Sequence, residues 1–408
     1  MITPGLTPVP VRILLQFIMA AVAALAMAGC ASAPPRAPLP QALAPQAEIP
    51  GIPMARYWAD QVPPGFREWL DLPEDVLVAR FGGIMDRPHH YLLVSGGGGD
   101  GAFGAGLLVG WTSTGHRPEF QIVTGISTGA IIAPFAFLGS AYDPTLRELY
   151  TSFESDDLVR RRGLFELLRG DSAFSTEPLA GLLERYLGDA EIAAIAAEGR
   201  KGRSLLIGTT NLDAARPVIW DITRIAMSGV PGAKRLIHDV IRASTAIPGA
   251  FPPVLFKVEA NGVRYDEMHV DGGVTSQLFL GPTGLEWRRI AERLRVEGPP
   301  QLYLIRNSQL SPRWEAVSPR VAPIVTRTIS SLIRTQGIGD LAQIYLTAER
   351  SGMGFNLARV PADFDLEPNE LFDPEYMRAL FERGVAAGRD ETSWIRQGAL
   401  TASPGGGK

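Results

Sequence analysis

The chain has 408 residues, of which 46% are hydrophobic and 20% are charged. This length is enough to bury a large core in one large domain or two smaller ones, and the composition is typical of a globular enzyme rather than a disordered protein. The formal net charge is −4, and no run of lysine or arginine stands out. These features exclude nucleic-acid binding, because the sequence has no concentration of positive charge that would attract the phosphates.

The N-terminal segment has the layout of a secretory signal. Arg12 is followed by an apolar run over 13–29 that ends in small residues. A transmembrane anchor is the alternative, since the run is close to the minimum spanning length of about 17 residues. The stretch Met27-Ala28-Gly29-Cys30 resembles the lipobox of bacterial lipoproteins, in which the cysteine is acylated and becomes the new N-terminus. Residues 1–29 are therefore predicted to be a lipoprotein signal peptide, with Cys30 as the lipidation site.

Two further segments precede the main body. Residues 30–53 are rich in proline and alanine, and this composition predicts an extended linker after lipidated Cys30. No aspartate follows Cys30 directly, which by resemblance to Gram-negative lipoproteins indicates the outer membrane. We therefore expect a protein of the bacterial cell envelope that is held on the membrane by its N-terminal lipid and faces the periplasm. Residues 54–88 are predicted to be an N-terminal helical arm.

From residue 89 onward, short apolar strands alternate with helical stretches. Strands are predicted at 90–96, 119–125, 203–211, 215–223 and 300–308, and helices at 102–115, 127–139, 176–188, 236–244, 283–296, 326–350 and 374–390. This alternation predicts an α/β fold, with a mostly parallel central sheet covered by helices on both faces in a three-layer sandwich. We expect a catalytic domain over 89–360, followed by a C-terminal helix and a disordered tail over 361–408.

The first of these strands runs into a glycine-rich turn. Residues 92–106 read LLVSGGGGDGAFGAG and contain the pattern GxGxxG twice. Between a strand and a helix, this pattern is typical of a turn that binds the phosphates of a dinucleotide, but such a turn can also bind a charge that develops during a reaction. A dinucleotide site needs an acidic residue at the end of the second strand, and a Walker loop needs GK[ST] after the glycines. The chain has neither, so the nucleotide interpretation is disfavoured.

The second strand ends in a motif of nucleophilic catalysis. Gly125–Gly129 read GISTG, a GxSxG pattern at the point where a strand turns into a helix. This is the context of a nucleophile elbow, in which flanking glycines let the backbones pass closely while the serine is exposed on a strained turn. The helix that begins there points its positive end at the site, which favours developing negative charge. Ser127 is therefore the candidate nucleophile, with a purely structural turn as the alternative.

A nucleophilic serine needs a base. Two histidines, His238 and His269, follow Ser127 in the chain, as the histidine of an α/β-hydrolase triad would. His238 falls within a predicted helix and His269 within a strand-like stretch, so packing roles are favoured for both. Asp271 is the better candidate, because it follows the end of a strand and precedes Gly272-Gly273, which allow a tight turn. An aspartate there can accept the serine proton directly, and a turn-capping role is the alternative.

Four blocks of the sequence together resemble the patatin-like phospholipase family. In chain order they are SGGGGDGAFGAG, GISTG, ASTAIPGAFPPV (Ala243–Val254) and VDGG, and the similarity covers 89–310. The resemblance implies a patatin-like α/β fold. It also implies that a Ser127–Asp271 dyad performs the catalysis without histidine, and that the block Ala243–Val254 forms a structural loop beside the site.

The resemblance further implies what the glycine-rich turn does. It makes this turn an oxyanion hole, whose preorganised N–H groups bind the charge of the tetrahedral intermediate. The donors map to Gly97, Gly98 and Gly99, while Gly96 and Gly101 shape the turn. One position departs from the family, because Asp100 stands where arginine or lysine is common. An acid there removes a positive charge and disfavours an anionic headgroup.

The expected function is the hydrolysis of lipid acyl esters by a serine acyl hydrolase, with a phospholipid, a lysophospholipid or a neutral glyceride as substrate. Ser127 attacks the acyl carbonyl, Asp271 takes its proton, and water then releases the acyl group. No metal or organic cofactor is implied. The alternative is a catalytically weak or silent patatin-like lipoprotein that binds lipid or an envelope partner, and Asp100 is the feature that favours it.

Overall fold

A computed structural model describes residues 36–396, apart from residues 64, 164–171, 283, 312–313 and 315. The predicted signal peptide, the predicted lipidation site Cys30 and residues 397–408 of the predicted tail lie outside the described residues. Among the helices that are described, none is both long enough and apolar enough to cross a bilayer.

Most strands of the described chain belong to one large sheet. The strands are β1 (Arg56–Trp58), β2 (His90–Val94), β3 (Ile122–Ile126), β4 (Arg160–Arg161), β5 (Phe174–Ser175), β6 (Ser204–Asn211), β7 (Arg216–Asp221), β8 (Val254–Ala260), β9 (Val263–Asp271), β10 (Gln301–Arg306), β11 (Gly354–Arg359) and β12 (Ile395–Arg396). Their order in the large sheet is β1-β7-β6-β3-β2-β10-β11-β12, while β4 and β5 pair separately. The central strands β6, β3, β2, β10 and β11 are parallel to one another, whereas β1, β7 and β12 pair antiparallel at the two edges. The hairpin β8–β9 pairs antiparallel with the end of β6.

The helices of the described chain connect these strands. They are α1 (Phe66–Leu70), α2 (Glu74–Phe81), α3 (Gly101–Thr112), α4 (Thr128–Leu138), α5 (Asp143–Thr151), α6 (Ser155–Leu158), α7 (Glu177–Tyr186), α8 (Asp189–Arg200), α9 (Ile222–Met227), α10 (Ala233–Ser244), α11 (Trp287–Arg293), α12 (Val321–Ser351) and α13 (Pro374–Arg389). Short 3-10 turns occur at Gln41–Gln46, Gly98–Asp100, Ser140–Tyr142, Gly272–Val274 and Glu391–Ser393.

Both faces of the central sheet are covered by helices. On β2, Leu92 and Val94 pack into the core formed with α3, α4, α10 and α13, while Tyr91 and Leu93 pack into the core formed with α11 and α12. A strand that is buried on both faces carries a continuous apolar run, and this is why HYLLV was recognisable in the sequence. The predicted α/β sandwich with a mostly parallel central sheet is therefore confirmed.

The predicted C-terminal helix, α13, packs directly on α3, the helix that follows β2 in the chain. A Cβ at Gly106 of α3 would overlap the carbonyl oxygen of Phe381, and a Cβ at Gly384 of α13 would overlap that of Phe103. The two helices approach this closely because each presents glycine to the backbone of the other. The described part of 361–408 is thus packed against the same core as the sheet, and the predicted domain limit at residue 360 stays a prediction.

The described part of the proline-rich segment differs from the extended linker expected over 30–53. The backbone N–H of Ala37 donates to Asp266 at 2.9 Å, and the backbones of Glu48 and Glu259 exchange two hydrogen bonds. Ile49 and Ile52 are buried. The hairpin β8–β9 supplies backbone partners that the composition of the segment cannot reveal, so residues 36–53 pack on this hairpin.

The arm predicted over 54–88 contains helices α1 and α2, and it also contributes a strand. Arg56–Trp58 form β1, which pairs with β7 at the edge of the large sheet. Three residues are too few to give a periodic signal, so this strand was not predicted.

Candidate active site

Ser127 lies on a sharp turn between β3 and α4. Its φ is 55° and its ψ is −125°, a strained backbone conformation for a residue with a side chain. A Cβ at Gly125 would overlap the carbonyl oxygen of Gly129, and a Cβ at Gly129 would overlap that of Val94. The chain can therefore make this turn only with glycine on both sides of the serine, as the GxSxG pattern predicts.

A second serine holds the backbone of this turn. The N–H of Ser127 donates to the Ser244 hydroxyl oxygen at 3.0 Å, and that hydroxyl donates to the carbonyl of Gly208 at 2.7 Å. Ser244 belongs to the block Ala243–Val254 and is fully buried. The contact fixes the strained turn against β6 and explains why this block lies beside the site.

Asp271 ends strand β9 and is buried, with 5% of its surface exposed. Its carboxylate accepts a hydrogen bond from the backbone N–H of Gly273 at 2.7 Å, and its own N–H donates to Ala246 at 2.9 Å. A Cβ at Gly272 would come within 2.5 Å of the carbonyl oxygen of Gly208, so this position needs glycine. Strand pairing of β9 with β6, and of β6 with β3, brings Asp271 to the same edge of the sheet as Ser127.

The Ser127 hydroxyl lies close enough to the Asp271 carboxylate to lower the pKa of Asp271. Burial has the larger, opposite effect, and the net result raises the pKa of Asp271 to about 7. The desolvated carboxylate is destabilised relative to the neutral acid, which makes it a stronger base than an exposed aspartate. A general base is most effective when its pKa lies near the working pH. The pair is therefore suited to proton transfer near neutral pH.

The first three glycines of the glycine-rich turn lie beside Ser127. A Cβ at Gly96 would be 3.1 Å from the Ser127 Cβ, and Gly98, at a φ of 57°, faces the same cavity as Ser127. The backbone N–H groups of Gly97 and Gly98 have no acceptor among the described residues. Unpaired N–H groups next to a nucleophile can bind an oxyanion, because no protein acceptor competes for them.

The other two glycines have packing contacts. A Cβ at Gly99 would be 3.3 Å from the carbonyl oxygen of Leu371, and a Cβ at Gly101 would overlap the Thr128 side chain. Of the five predicted glycines, the structure thus brings Gly96 and Gly98 next to Ser127, with Gly97 between them in the chain, while Gly99 and Gly101 pack on neighbouring residues. The donor role predicted for Gly99 stays a prediction.

Asn307 braces the glycine-rich turn and was not predicted. Its amide donates to the Ser95 carbonyl at 2.9 Å, and its side-chain oxygen accepts from the N–H of Gly104 at 3.0 Å. A Cβ at Gly97 would overlap the carbonyl oxygen of Asn307. Asn307 directly follows β10, and ligand chemistry in such sheets collects at the carboxyl ends of the strands, so its position was the available signal.

An apolar cavity opens beside Ser127. It encloses about 830 Å³ of empty space, counted to its open mouth. Besides Ser127, Thr128 and Gly98, its walls are mostly aliphatic and aromatic side chains, among them Ile131, Leu149, Leu158, Leu183, Ile247 and Phe251. Such a lining favours a hydrocarbon chain, because moving apolar surface from water into an apolar cavity lowers the free energy.

Asp100 points away from this cavity. Its carboxylate accepts a hydrogen bond from the Tyr376 hydroxyl at 2.6 Å, and it lines a separate, polar cavity together with residues of α12. The acid therefore does not line the apolar cavity, although it lies two residues from Gly98.

The two histidines that follow Ser127 are engaged elsewhere. The Nε2 of His238 is 2.8 Å from the carbonyl oxygen of Leu187, and His269 is fully buried between Thr209 and Glu267. Burial lowers the pKa of His269, so it is neutral near pH 7. Within the described part of the chain, no group of three or more histidine, cysteine, aspartate or glutamate side chains is arranged to hold a metal ion.

Comparisons with known proteins give one family match. Residues 92–282 match the sequence model of the family described as patatin-like phospholipase. This segment runs from β2 past Asp271, and it contains the glycine-rich turn and Ser127. No curated protein matches the chain.

Two solved structures are distantly similar. VipD from Legionella pneumophila shares 12% identity at a TM-score of 0.37, over 73% of this chain and 65% of its own. Human GIVD cytosolic phospholipase A2 shares 11% identity at a TM-score of 0.34, over 76% of this chain and 55% of its own. The matched part is thus less than two thirds of either structure.

Proposed function

Because the chain carries a patatin-like phospholipase domain over residues 92–282, we propose that it is a serine acyl hydrolase that cleaves lipid acyl esters through a Ser127–Asp271 dyad. Membership of this family supports lipid acyl hydrolysis in general. The observation that carries the finer proposal is the proximity of a strained, glycine-flanked serine to a buried aspartate with a raised pKa. A turn kept only for structure would need neither the strain nor the buried acid.

In the acylation step, Asp271 accepts the proton of the Ser127 hydroxyl while the serine oxygen attacks the acyl carbonyl carbon. The carbonyl oxygen becomes an oxyanion and is bound by the N–H groups of Gly97 and Gly98. Asp271, now protonated, donates its proton to the leaving alcohol oxygen as the ester bond breaks. Loss of one oxyanion donor typically costs about 10²–10³ in rate, so the turn is a substantial part of the catalysis.

In the deacylation step, water replaces the alcohol. Asp271 accepts a proton from the water as its oxygen attacks the acyl-enzyme, and the oxyanion forms again in the same turn. The collapse of this intermediate releases the fatty acid, and the proton held by Asp271 returns to Ser127. One buried carboxylate can serve as base and acid in both halves because its pKa of about 7 lets it hold or release a proton.

The apolar cavity supports a lipid as the substrate. Its walls contact the nucleophile directly, so an acyl chain that fills it places its ester carbonyl next to Ser127 and Gly98. The α4 helix begins at Thr128, directly after Ser127, and its positive end adds to the stabilisation of the oxyanion.

Hydrolysis assays on matched variants test this proposal. The full chain in a non-ionic detergent is offered esters with short and long acyl chains, and the released fatty acid is measured. We expect Ser127→Ala to lower kcat by about 10⁴-fold or more and Asp271→Asn by about 10²–10⁴-fold, while Ser140→Ala, an exposed serine in the turn after α4, serves as the control. Full activity in Ser127→Ala would refute the dyad. Absence of turnover by the unmodified chain on every ester would favour the alternative, a patatin-like protein that only binds lipid.

We also propose that the protein is anchored in the bacterial envelope by a lipid on Cys30. The support is the lipobox-like stretch Met27–Cys30 after an apolar run. Labelled palmitate should be incorporated into the unmodified chain but not into Cys30→Ser. Equal incorporation into both would refute the anchor.

A further inference from the structure

The side chain of Gln277 lies between the two turns that carry the catalytic groups. A Cβ at Gly96, in the glycine-rich turn, would be 3.1 Å from the Ser127 Cβ and 3.2 Å from the Oε1 of Gln277. A Cβ at Gly273, in the turn after β9, would be 2.7 Å from the Nε2 of Gln277 and 3.0 Å from the Oδ1 of Asp271. The amide group of this one side chain therefore borders both members of the dyad.

The orientation of this amide is fixed by a hydrogen bond. Its Nε2 donates to the backbone carbonyl oxygen of Gly273 at 2.8 Å. Because a carbonyl oxygen only accepts hydrogen bonds, the NH₂ end of the amide faces Gly273 and the oxygen end faces Gly96. Gln277 thus presents a hydrogen-bond acceptor, rather than a donor, toward the glycine-rich turn.

The amide oxygen of Gln277 is available to a further molecule. It accepts no hydrogen bond from the described residues. Gln277 is only partly buried, and its oxygen is not one of the described polar atoms that are sealed from solvent without a partner. An acceptor that has no protein donor and stays open to solvent can bind a water molecule.

Helix α12 holds Gln277 in place. The Asp340 carboxylate accepts the backbone N–H of Gln277 at 2.6 Å and that of Leu278 at 3.3 Å. A Cβ at Gly337, one turn earlier in this helix, would be 3.2 Å from the Cγ of Gln277. Glycine is unfavourable in the interior of a helix, and at this position it leaves the space that the side chain of Gln277 occupies. The side chain is therefore held from both its backbone and its stem.

The amide of Gln277 stays uncovered when an acyl chain is bound. Among the described residues that line the apolar cavity are Ser127 and Gly98, but not Gln277. An acyl chain that fills this cavity therefore does not cover the amide. Gly97 is exposed, so solvent reaches the glycine-rich turn next to Ser127. An acyl group on Ser127 would thus have an uncovered amide oxygen near its ester.

Water differs from the serine nucleophile in its number of O–H bonds. In acylation the Ser127 hydroxyl has one O–H, and Asp271 accepts that proton. In deacylation the attacking water has two O–H bonds, and Asp271 accepts the proton of only one of them. The second O–H needs another acceptor, because a donor left without a partner in a site shielded from bulk water costs free energy.

We propose that Gln277 positions the water that hydrolyses the acyl-enzyme, by accepting a hydrogen bond from its second O–H. This role rests on the proposed function. The water oxygen forms a bond to the acyl carbon while one proton goes to Asp271. The other proton stays on that oxygen and is hydrogen-bonded to the Oε1 of Gln277. When the bond between the acyl carbon and the Ser127 oxygen breaks, the fatty acid keeps this proton and Asp271 returns its own to the serine oxygen.

Methanol tests this role, because it has one O–H and needs only Asp271 as acceptor. The full chain is given 4-nitrophenyl butyrate with a fixed concentration of methanol, and the initial rates of formation of methyl butyrate and butyric acid are measured. We expect Gln277→Met, which keeps a similar shape but loses the amide, to raise the ratio of methyl ester to acid by about tenfold to hundredfold. Gln343→Met, at an exposed glutamine of α12, should leave the ratio unchanged. An unchanged ratio in Gln277→Met would overturn the role.

Rapid mixing with the same ester separates the two steps. The first release of 4-nitrophenolate gives the rate constant of acylation, and the steady release that follows gives that of deacylation. We expect Gln277→Met to slow deacylation by about tenfold to hundredfold and to leave acylation nearly unchanged. Misfolded molecules lower the size of the first release but neither rate constant. Slowing of both steps by the same factor would show that Gln277 only holds the two turns, and would overturn the water role.

A conservative variant tests whether the amide oxygen is the group that matters. Gln277→Asn keeps an amide oxygen at a shorter reach, so its ratio of methyl ester to acid should lie between those of the unmodified chain and Gln277→Met. A ratio above that of Gln277→Met would contradict the role of the oxygen as acceptor. No release of 4-nitrophenolate by the unmodified chain would instead refute the proposed function, and this role with it, so the two failures are distinguishable.

Discussion

The buried carboxyl of Asp271 should cost the protein stability at neutral and alkaline pH. Its pKa is raised from an ordinary value of 3.8 to about 7, chiefly by burial. Between these two values the folded protein still holds the proton that the unfolded chain has already lost. Folding therefore takes up a proton in this range, and stability falls as the pH rises from about 4 to about 7.

The size of the effect follows from the shift. About three pKa units at about 1.4 kcal/mol each give roughly 4 kcal/mol of lost stability above pH 7. Asparagine has nearly the same shape, can still accept the N–H of Gly273, and carries no charge at any of these pH values. The stability of Asp271→Asn relative to the unmodified chain should therefore increase by up to about 4 kcal/mol between pH 4 and pH 8.

Urea unfolding followed by tryptophan fluorescence measures this difference, since the chain has seven tryptophans. The free energy of unfolding is compared at pH 4, 6 and 8 for the unmodified chain, Asp271→Asn, and the exposed control Asp365→Asn. We expect the free energy of unfolding of Asp271→Asn to increase with pH relative to that of the unmodified chain. The corresponding difference for Asp365→Asn should stay the same at all three pH values. A difference that is the same at all three pH values would show that Asp271 is not a buried acid of raised pKa.

Three further predictions follow from the site. The value of kcat/KM should fall about tenfold per pH unit below pH 7, because Asp271 must be deprotonated to act as the base, and a profile that is flat from pH 5 to 9 would contradict this role. Gly97→Ala should lower kcat by about 10²–10³-fold in the ester assay, because its Cβ would overlap the carbonyl oxygen of Asn307 and displace the N–H donors. Phe251→Trp should move the optimum of an acyl-chain series toward shorter chains, because the larger ring takes space from the apolar cavity, and an unchanged optimum would place the chain elsewhere.

The sequence was sufficient to predict the parts of the fold that are determined by residues close together in the chain. Strands β2 and β3 are short apolar runs that end in glycine, and the helices after them begin within the same motifs, so both strand–turn–helix units were predicted correctly. The position of Ser127 follows from the same local rule. The strain and the close approach of Gly125 and Gly129 are what the GxSxG pattern requires.

The parts that the sequence did not predict depend on contacts between distant segments. The hairpin β8–β9 turns at Asn261-Gly262, a recognised hairpin signal, but its strands alternate weakly and were only partly identified. The brace formed by Asn307 needs β10 to lie beside β2, which no local pattern gives. The direction of the Asp100 side chain depends on Tyr376, which lies 276 residues further along the chain.

The most direct test of the central claim is covalent labelling of the nucleophile. A fluorophosphonate probe is reacted with the full chain, and the modified peptide is identified by mass spectrometry. We predict one adduct on Ser127, none in Ser127→Ala, full labelling in Ser140→Ala, and slow labelling in Asp271→Asn because the base is lost. Equal labelling of the unmodified chain and Ser127→Ala would contradict the assignment of Ser127 as the nucleophile.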